Sequence, residues 1–314
     1  MKIVNLRMRI IGHQKIINYL DRSIEKDKIS QAYLFCGPAH LGKFSLALEF
    51  ARKITRLHPD NSWEALRVGG QEENQKINPD IIIISPETEE KDGKIKKKDI
   101  KIEKIRELQQ MLSLSAYFGK YKVAIIDEAE KLTNASQNAL LKTLEEPPQK
   151  TVIILITENA DKIIPTVKSR CVIKKFGLAE KKEIVEILKN ENDAKNLEFW
   201  ALNRPGLAIN FTKEKEEMEK RIKAQKDLKK MLEENLSEKF SFCEELSKDT
   251  SALVEELSFW TVILRENIFG NTEFFQLDRK KALKLILEIE KSLKIIKETN
   301  SNSRLVMENL ALEM

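Results

Sequence analysis

Four short, continuously apolar runs constrain this chain most. Ala32-Tyr33-Leu34-Phe35-Cys36 is closed by Gly37-Pro38, and Ile81-Ile82-Ile83-Ile84 by Ser85-Pro86. Val123-Ala124-Ile125-Ile126 ends in acids, and Val152–Ile156 is the fourth. None alternates apolar with polar residues, so each reads as a strand buried on both faces, the signature of a parallel sheet covered by helices. Ile16–Ile24, Ser45–Ile54, Ile102–Leu114 and Thr133–Leu144 carry apolar residues at helical spacing. Thr133 is placed to cap the last of these and Pro147-Pro148 to stop it. Gly (10) and Pro (8) are scarce, about half their usual share, which disfavours an all-β protein built on tight turns.

After Phe176 the alternation stops. Ala179–Asn190 reads as a helix, Asn196–Asn210 as a helical pair broken at Pro205-Gly206, and nearly everything from Lys213 onward has a helical period. The 314 residues exceed one ordinary domain. The expected class is therefore multidomain, α/β plus all-α, divided at 1–176, 177–212 and 213–314. The stripe Leu253, Leu257, Trp260, Leu264 and Ile268 belongs more commonly to a core than to an interface. Leu57–Pro79, with Gly69-Gly70, and the charge run Glu87–Lys101 read as loops. For the basic run Lys94–Lys104 a solvated charged hairpin is favoured over a DNA contact.

Charge narrows the function classes. The net charge is +5, and residues 1–212 hold 36 of the 55 basic and 29 of the 50 acidic side chains. This mild excess disfavours an obligate DNA coat but leaves open an assembly that touches a phosphate backbone. Aromatics are 6%, too few for a base-stacking platform. Cys36, Cys171 and Cys243, with three histidines, are too scattered for a disulfide framework or a metal site. No apolar run is long enough to span a membrane, and the first residues do not read as a signal peptide, so a cytoplasmic location is expected.

Gly37-Pro-Ala-His-Leu-Gly42-Lys43 fits GxxxxGK between a strand and a helix. Glycines let backbone wrap a phosphate, N–H groups and a helix N-terminus attract it, and the lysine reaches the outer phosphates. The following residue should carry a hydroxyl for Mg²⁺. Here it is Phe44, and Ser45 lies about 100° further round a helix. Asp127 and Glu128, at the end of an apolar strand, are placed to hold Mg²⁺ through water and to polarise an attacking water. Taken alone they are equally an ordinary solvated acidic pair. Arg170, in Ser169-Arg170-Cys171, suits an arginine finger for a neighbour's nucleotide. On residue chemistry alone, an ordinary surface ion pair is its commoner role.

Together these segments resemble the clamp-loader branch of the AAA+ ATPases, specifically the delta-prime and gamma/tau types of bacterial DNA polymerase III. The resemblance rests on Lys122-Val-Ala-Ile-Ile-Asp-Glu-Ala-Glu-Lys-Leu-Thr, Asn138-Ala-Leu-Leu-Lys-Thr-Leu-Glu-Glu-Pro-Pro148 and Ile164-Pro-Thr-Val-Lys-Ser-Arg-Cys171. Ile11-Gly-His-Gln14, Gln31-Ala-Tyr-Leu-Phe-Cys-Gly37, Ile105-Arg-Glu-Leu108 and Asn78-Pro-Asp80 agree with it. It is dense over about residues 10–176. It implies an AAA+ α/β domain with a phosphate loop (Gly37, Gly42, Lys43, Ser45), a small helical lid and a helical collar for ring assembly. The family's four-cysteine zinc knuckle is missing from Leu57–Pro79, so no zinc is expected. Gly206 stands where ATP-hydrolysing members carry a lid arginine, with Arg204 two residues early, and the tail of the tau type is not seen. Phe44 and Gly206 with Arg170 kept is the delta-prime pattern. What the resemblance implies is a subunit with vestigial Asp127 and Glu128 and weak binding of ATP or ADP. Arg170 would act in trans on a neighbouring subunit. The implied partners are gamma/tau and delta subunits, the sliding clamp and, through the complex, primer–template DNA.

Overall fold

The computed structural model describes residues 10–55, 64–67, 77–91, 94–117, 119–189, 191, 193–213, 215–270, 277–299 and 301–314. They form two compact units, one running up to Glu186 with Asn203–Gly206 added, the other comprising Ile187–Leu202 and Leu207–Met314.

The first unit is built on six parallel strands in the order β2-β3-β6-β7-β1-β8. The strands are β1 (Ala32–Cys36), β2 (Glu64–Arg67), β3 (Ile77–Ile84), β6 (Lys122–Ile126), β7 (Thr151–Thr157) and β8 (Val172–Lys175). The antiparallel hairpin β4 (Thr88–Lys91) and β5 (Lys94–Lys97) stands apart from it.

Successive residues of a strand point to opposite faces, and the cores divide accordingly. Tyr33, Phe35, Ile81, Ile83, Val123, Ile125 and Ile154 face α1 (Gln14–Glu25) and α2 (Lys43–Ile54). Leu34, Ile82, Ala124, Ile126, Ile153 and Leu155 face α3 (Ile102–Ser113) and α4 (Asn134–Glu145). Thr133 caps α4 as expected, accepting from Ser136 N–H.

Asp80 braces the far side of β3. It is fully buried and accepts from the Tyr117 N–H at 2.6 Å and the Gly119 N–H at 3.1 Å, while its own N–H donates to Asn78 Oδ1.

Three readings need correction. Leu57–Pro79 and Glu87–Lys101 are not simply loops. The first holds β2 and the start of β3, its remaining residues, His58 and Gly69-Gly70 among them, lying outside the described ones. The second forms the β4–β5 hairpin. Strands of four residues with charged positions carry too few apolar positions to stand out. β8 was missed for the same reason: as an edge strand it alternates exposed and half-buried residues. Finally, Pro205 opens α8 (Pro205–Lys213) rather than breaking a helix. The break after α7 (Ala194–Ala201) falls at Leu202 and Asn203, both at positive φ, and Pro is well suited to a first helical turn. α5 (Pro165–Lys168) and α6 (Lys181–Leu188) complete this stretch.

The second unit is helical, with α9 (Lys215–Glu233), α10 (Leu236–Leu246), α11 (Thr250–Ile268), α12 (Arg279–Glu298) and α13 (Ser303–Glu313). Leu253, Leu257, Trp260 and Leu264 are all fully buried, so this stripe is core. The Arg221 guanidinium lies over the rings of Trp200, Phe211 and Phe259 at 4.5–5.2 Å and pairs with Glu217.

Nearby, α9 and α11 bury two acids, Asp227 and Glu256. Burial pushes the Glu256 carboxyl up to about 7, the Asp227 charge adding to the shift and the Trp260 indole N–H, donating at 2.9 Å, opposing it. Burial raises Asp227 as well. A carboxyl whose folded pKa is raised stabilises the fold below its unfolded pKa, and this contribution is lost as pH rises through the folded value. The wild-type helical unit should therefore lose stability between about pH 4.5 and 7. Glu256→Gln should flatten that slope and be more stable than wild type by about 1–3 kcal/mol at about pH 8. Unfolding curves against pH, followed by tryptophan fluorescence, check this, since Trp200 and Trp260 both lie in this unit. An unchanged slope would contradict it.

Candidate functional site

Parallel pairing brings the C-terminal ends of β1, β6 and β7 side by side. Loops leaving those ends meet, which is where ligands sit in open α/β sheets. The loop after β1 is Gly37–Gly42. Its Gly37 N–H donates to Thr157 O at the end of β7. Gly42 caps α2 at φ 79°, a left-handed conformation that favours glycine, and a Cβ there would meet nothing within 4 Å. The α2 N-terminus and the loop N–H groups therefore suit a phosphate.

Lys43 is buried, 6% exposed, and its amine donates to the loop's own carbonyls, Gly37 O at 2.7 Å and Pro38 O at 2.5 Å. Burial lowers its pKa, while Glu158, Asp127 and Glu130 oppose that shift. Phe44 packs against the α1–α2 face of the sheet core, so the position next to the lysine is committed to packing. Ser45 sits one residue further along α2. The donor set fits a phosphate group but supplies no hydroxyl at the Mg²⁺ position. Among the described residues no group of three or more His, Cys, Asp or Glu side chains is arranged to hold a metal.

Asp127 and Glu128 emerge from β6 together and then diverge. Burial raises the Asp127 pKa, offset by the Glu128 N–H donating to its carboxylate at 3.0 Å. Glu128 adopts φ 49°, and its carboxylate pairs with Lys97 of β5 at 2.5 Å. That bond is the main reason the Lys97 pKa is raised. The second carboxylate is thus held by the charged hairpin.

Gly206, the second residue of α8, closes on the loop from another side. Its N–H donates to His40 O at 2.8 Å, and a Cβ at Gly206 would approach that same oxygen to 2.7 Å. No side chain fits here unless the loop moves.

Arg170 lies elsewhere, two residues beyond α5, and is exposed. Its guanidinium pairs with Glu145 at the end of α4 at 2.5 Å and donates to Thr166 O at 2.9 Å. Next to it, burial drives the Cys171 thiol up to about 12, so this thiol is not a nucleophile.

Residues 12–179 match the family described as DNA polymerase III, delta subunit. The chain belongs to that family. Its relatives include the subunit delta' of Pseudomonas aeruginosa, 32% identical over 151 residues, 46% of this chain and 42% of that protein. The subunit delta' of Bacillus subtilis is 33% identical over 175 residues, 55% and 50% of the two chains. The subunit tau of the same organism is 32% identical over 194 residues, 60% of this chain and 32% of the other. Each alignment thus spans half or less of the relative's length. A gamma subunit-related protein from Thermotoga maritima shares the fold with a TM-score of 0.53 at 23% identity, covering 94% of this chain and 97% of the other.

Three residues around the Gly37–Gly42 loop and the end of β6 escaped sequence reasoning: Lys97, Glu130 and Glu158. Glu158 directly follows β7, and a parallel order placing β7 beside β1 would have pointed to it. Lys97 sits in a charge run with no local signal.

The Gly206 contact is testable. Gly206→Ala should lower stability by about 1–3 kcal/mol, as overpacking does, seen as a reduced denaturant midpoint. Gly177→Ala, where a Cβ meets nothing within 4 Å, should leave the midpoint near that of wild type. Equal midpoints for the two variants would refute the close approach.

Proposed function

We propose that this chain is a delta-prime-type subunit of a bacterial clamp loader, working in the cytoplasm on its neighbour's nucleotide rather than its own. The observation that carries this reading is a contrast between two sites. The chain's own loop is followed by Phe44, half-buried and packed against the core, and has Lys43 turned onto loop carbonyls. Arg170 is exposed and held by the surface carboxylate of Glu145 and the Thr166 carbonyl.

In this reading residues 1–176 are the AAA+ domain, 177–212 the lid and 213–314 the collar through which loader subunits join. The subunit sits beside a gamma/tau-type ATPase and presents Arg170 to the γ-phosphate bound there. A planar, permanently charged guanidinium stabilises the charge that builds on the phosphoryl oxygens. The pair with Glu145 is no obstacle, because an exposed ion pair contributes only about 0–1 kcal/mol and a triphosphate is the stronger anion. ATP binding by the assembly opens the sliding clamp on primer–template DNA, and hydrolysis releases both. The loop of Gly37, Gly42 and Lys43 holds ATP or ADP weakly.

Two measurements test this. The pure chain should hydrolyse ATP at background. Robust turnover that vanishes with Lys43→Ala would instead make it an autonomous ATPase with Ser45, Asp127 and Glu128 at work. In the reconstituted complex, Arg170→Ala and Arg170→Lys should behave alike, because an ammonium cannot match phosphate bidentately. Fingers contribute about 10³–10⁵ in rate at the site they serve. With one site of several affected, total ATPase should fall partly and clamp loading more, with assembly intact. Wild-type loading by these variants would leave Arg170 an ordinary surface arginine.

A further inference from the structure

The exposed face of α1 and the residues just after it line an open cleft of about 560 Å³. That is within the ~300–1,000 Å³ usual for binding clefts. Four of its seven lining residues are cations, Lys15, Arg22, Lys26 and Lys28, and none is acidic. The wall is nonetheless mostly apolar. Aliphatic stems of long basic side chains supply such surface while their charged ends stay in water, and the Tyr19 ring adds to it.

Helical spacing produces this mixture. Lys15, Tyr19, Arg22 and Lys26 follow one another by four, three and four residues. At 100° per residue all four lie within about 60° on one stripe, so Tyr19 has cations on both sides of it along the helix. Tyr19 is 40% exposed. Its ring holds the ammonium of Lys174, from edge strand β8, 3.0 Å from the ring centre, which places a fifth cation beside the cleft. The four lining cations are exposed, and among the described residues none forms an ion pair. The acids of this segment are engaged or turned aside. Asp21 pairs with Lys53 and Asp27 with Lys120, and Glu25 is about 60° or more round the helix from the cationic residues.

We infer that this cleft binds an acidic, extended peptide segment of a partner protein, which seats one apolar side chain against Tyr19. The unpaired cations complement carboxylates, which sets partner choice and encounter rate. The apolar wall takes the anchoring side chain that supplies most of the affinity in such contacts. From Lys15 to Lys26 the stripe is about 16 Å long at 1.5 Å per residue, so about five residues of extended chain at ~3.3 Å each cover it. A nucleic-acid duplex would meet the charges and leave the apolar wall unused. The inference does not rest on the clamp-loader reading, because a chain that serves no loader would carry the same cleft.

The test is fluorescence anisotropy of the full chain with a labelled peptide of about ten residues, alternating aspartate and serine around a central phenylalanine. Two further peptides replace every aspartate by asparagine, or the phenylalanine by alanine. The protein variants are Lys15→Gln/Arg22→Gln/Lys26→Gln and Tyr19→Ala, with Lys280→Gln/Lys294→Gln/Lys297→Gln on α12 as the charge-matched control. At low salt the triple α1 variant should bind the acidic peptide at least about tenfold more weakly, and Tyr19→Ala about five- to tenfold more weakly. The control should change affinity less than about twofold. Loss of the peptide's phenylalanine should weaken binding to wild type and add little to the loss in Tyr19→Ala, because one contact is removed from either side. Raising salt from about 50 to about 500 mM should erase the aspartate dependence and keep the phenylalanine dependence. Wild-type protein that does not bind the acidic peptide at low salt overturns the proposal, as does an α1 variant no weaker than the control. Binding indifferent to the phenylalanine and to Tyr19 also overturns it and leaves only unspecific charge attraction. Duplex DNA bound more tightly than the peptide, with the same loss in the α1 variant, overturns it in favour of a phosphate surface. The substituted side chains are exposed, so melting curves matching wild type verify folding, and the peptide substitutions test the anchor without altering the protein.

Discussion

Burial of each central strand on both faces is the constraint from which the rest follows. β1, β6 and β7 have no polar face, so they must lie side by side inside the sheet with helices above and below. Parallel pairing then aligns their C-terminal ends, and the chain must leave each strand at the same edge. Gly37, Asp127 and Glu158 come together for that reason, although they derive from three distant segments. A buried ammonium needs hydrogen-bonding partners close by, and Lys43 finds them in the Gly37 and Pro38 carbonyls, within the field of those acids.

At this edge the Gly37–Gly42 loop is packed against its surroundings. Phe44, half-buried, packs its ring against the core at the position where nucleotide chemistry needs a hydroxyl. Gly206 lays its backbone directly on His40. The Lys97–Glu128 pair ties the charged hairpin to the end of β6.

Other charges lie outside that frame. Arg170 is held at the surface by the Glu145 carboxylate and the Thr166 carbonyl. The helical unit shows the opposite arrangement. There Arg221 lies against three rings, and Glu256 is buried with the Trp260 indole as its donor. Charges placed in cores are tuned by burial, whereas those on surfaces stay available for partners.

Much of this was legible in the sequence. Strand runs, helix periods, the Thr133 cap, the GxxxxGK loop and the defect at Phe44 are each contained within a few neighbouring residues. Backbone preference, side-chain period and glycine placement act over that same range. Short charged strands such as β2, β5 and β8 were not legible, because at an edge or in a hairpin apolar burial leaves little periodic trace. Nor were the pairings that decide the site. The turn of Lys43 onto its own loop, the hold of Lys97 on Glu128, the seating of Gly206 on His40 and the capture of Arg170 by Glu145 were decided by the tertiary structure alone. In most of these the partners lie far apart in the chain, and strand order, not local propensity, sets the distance between them.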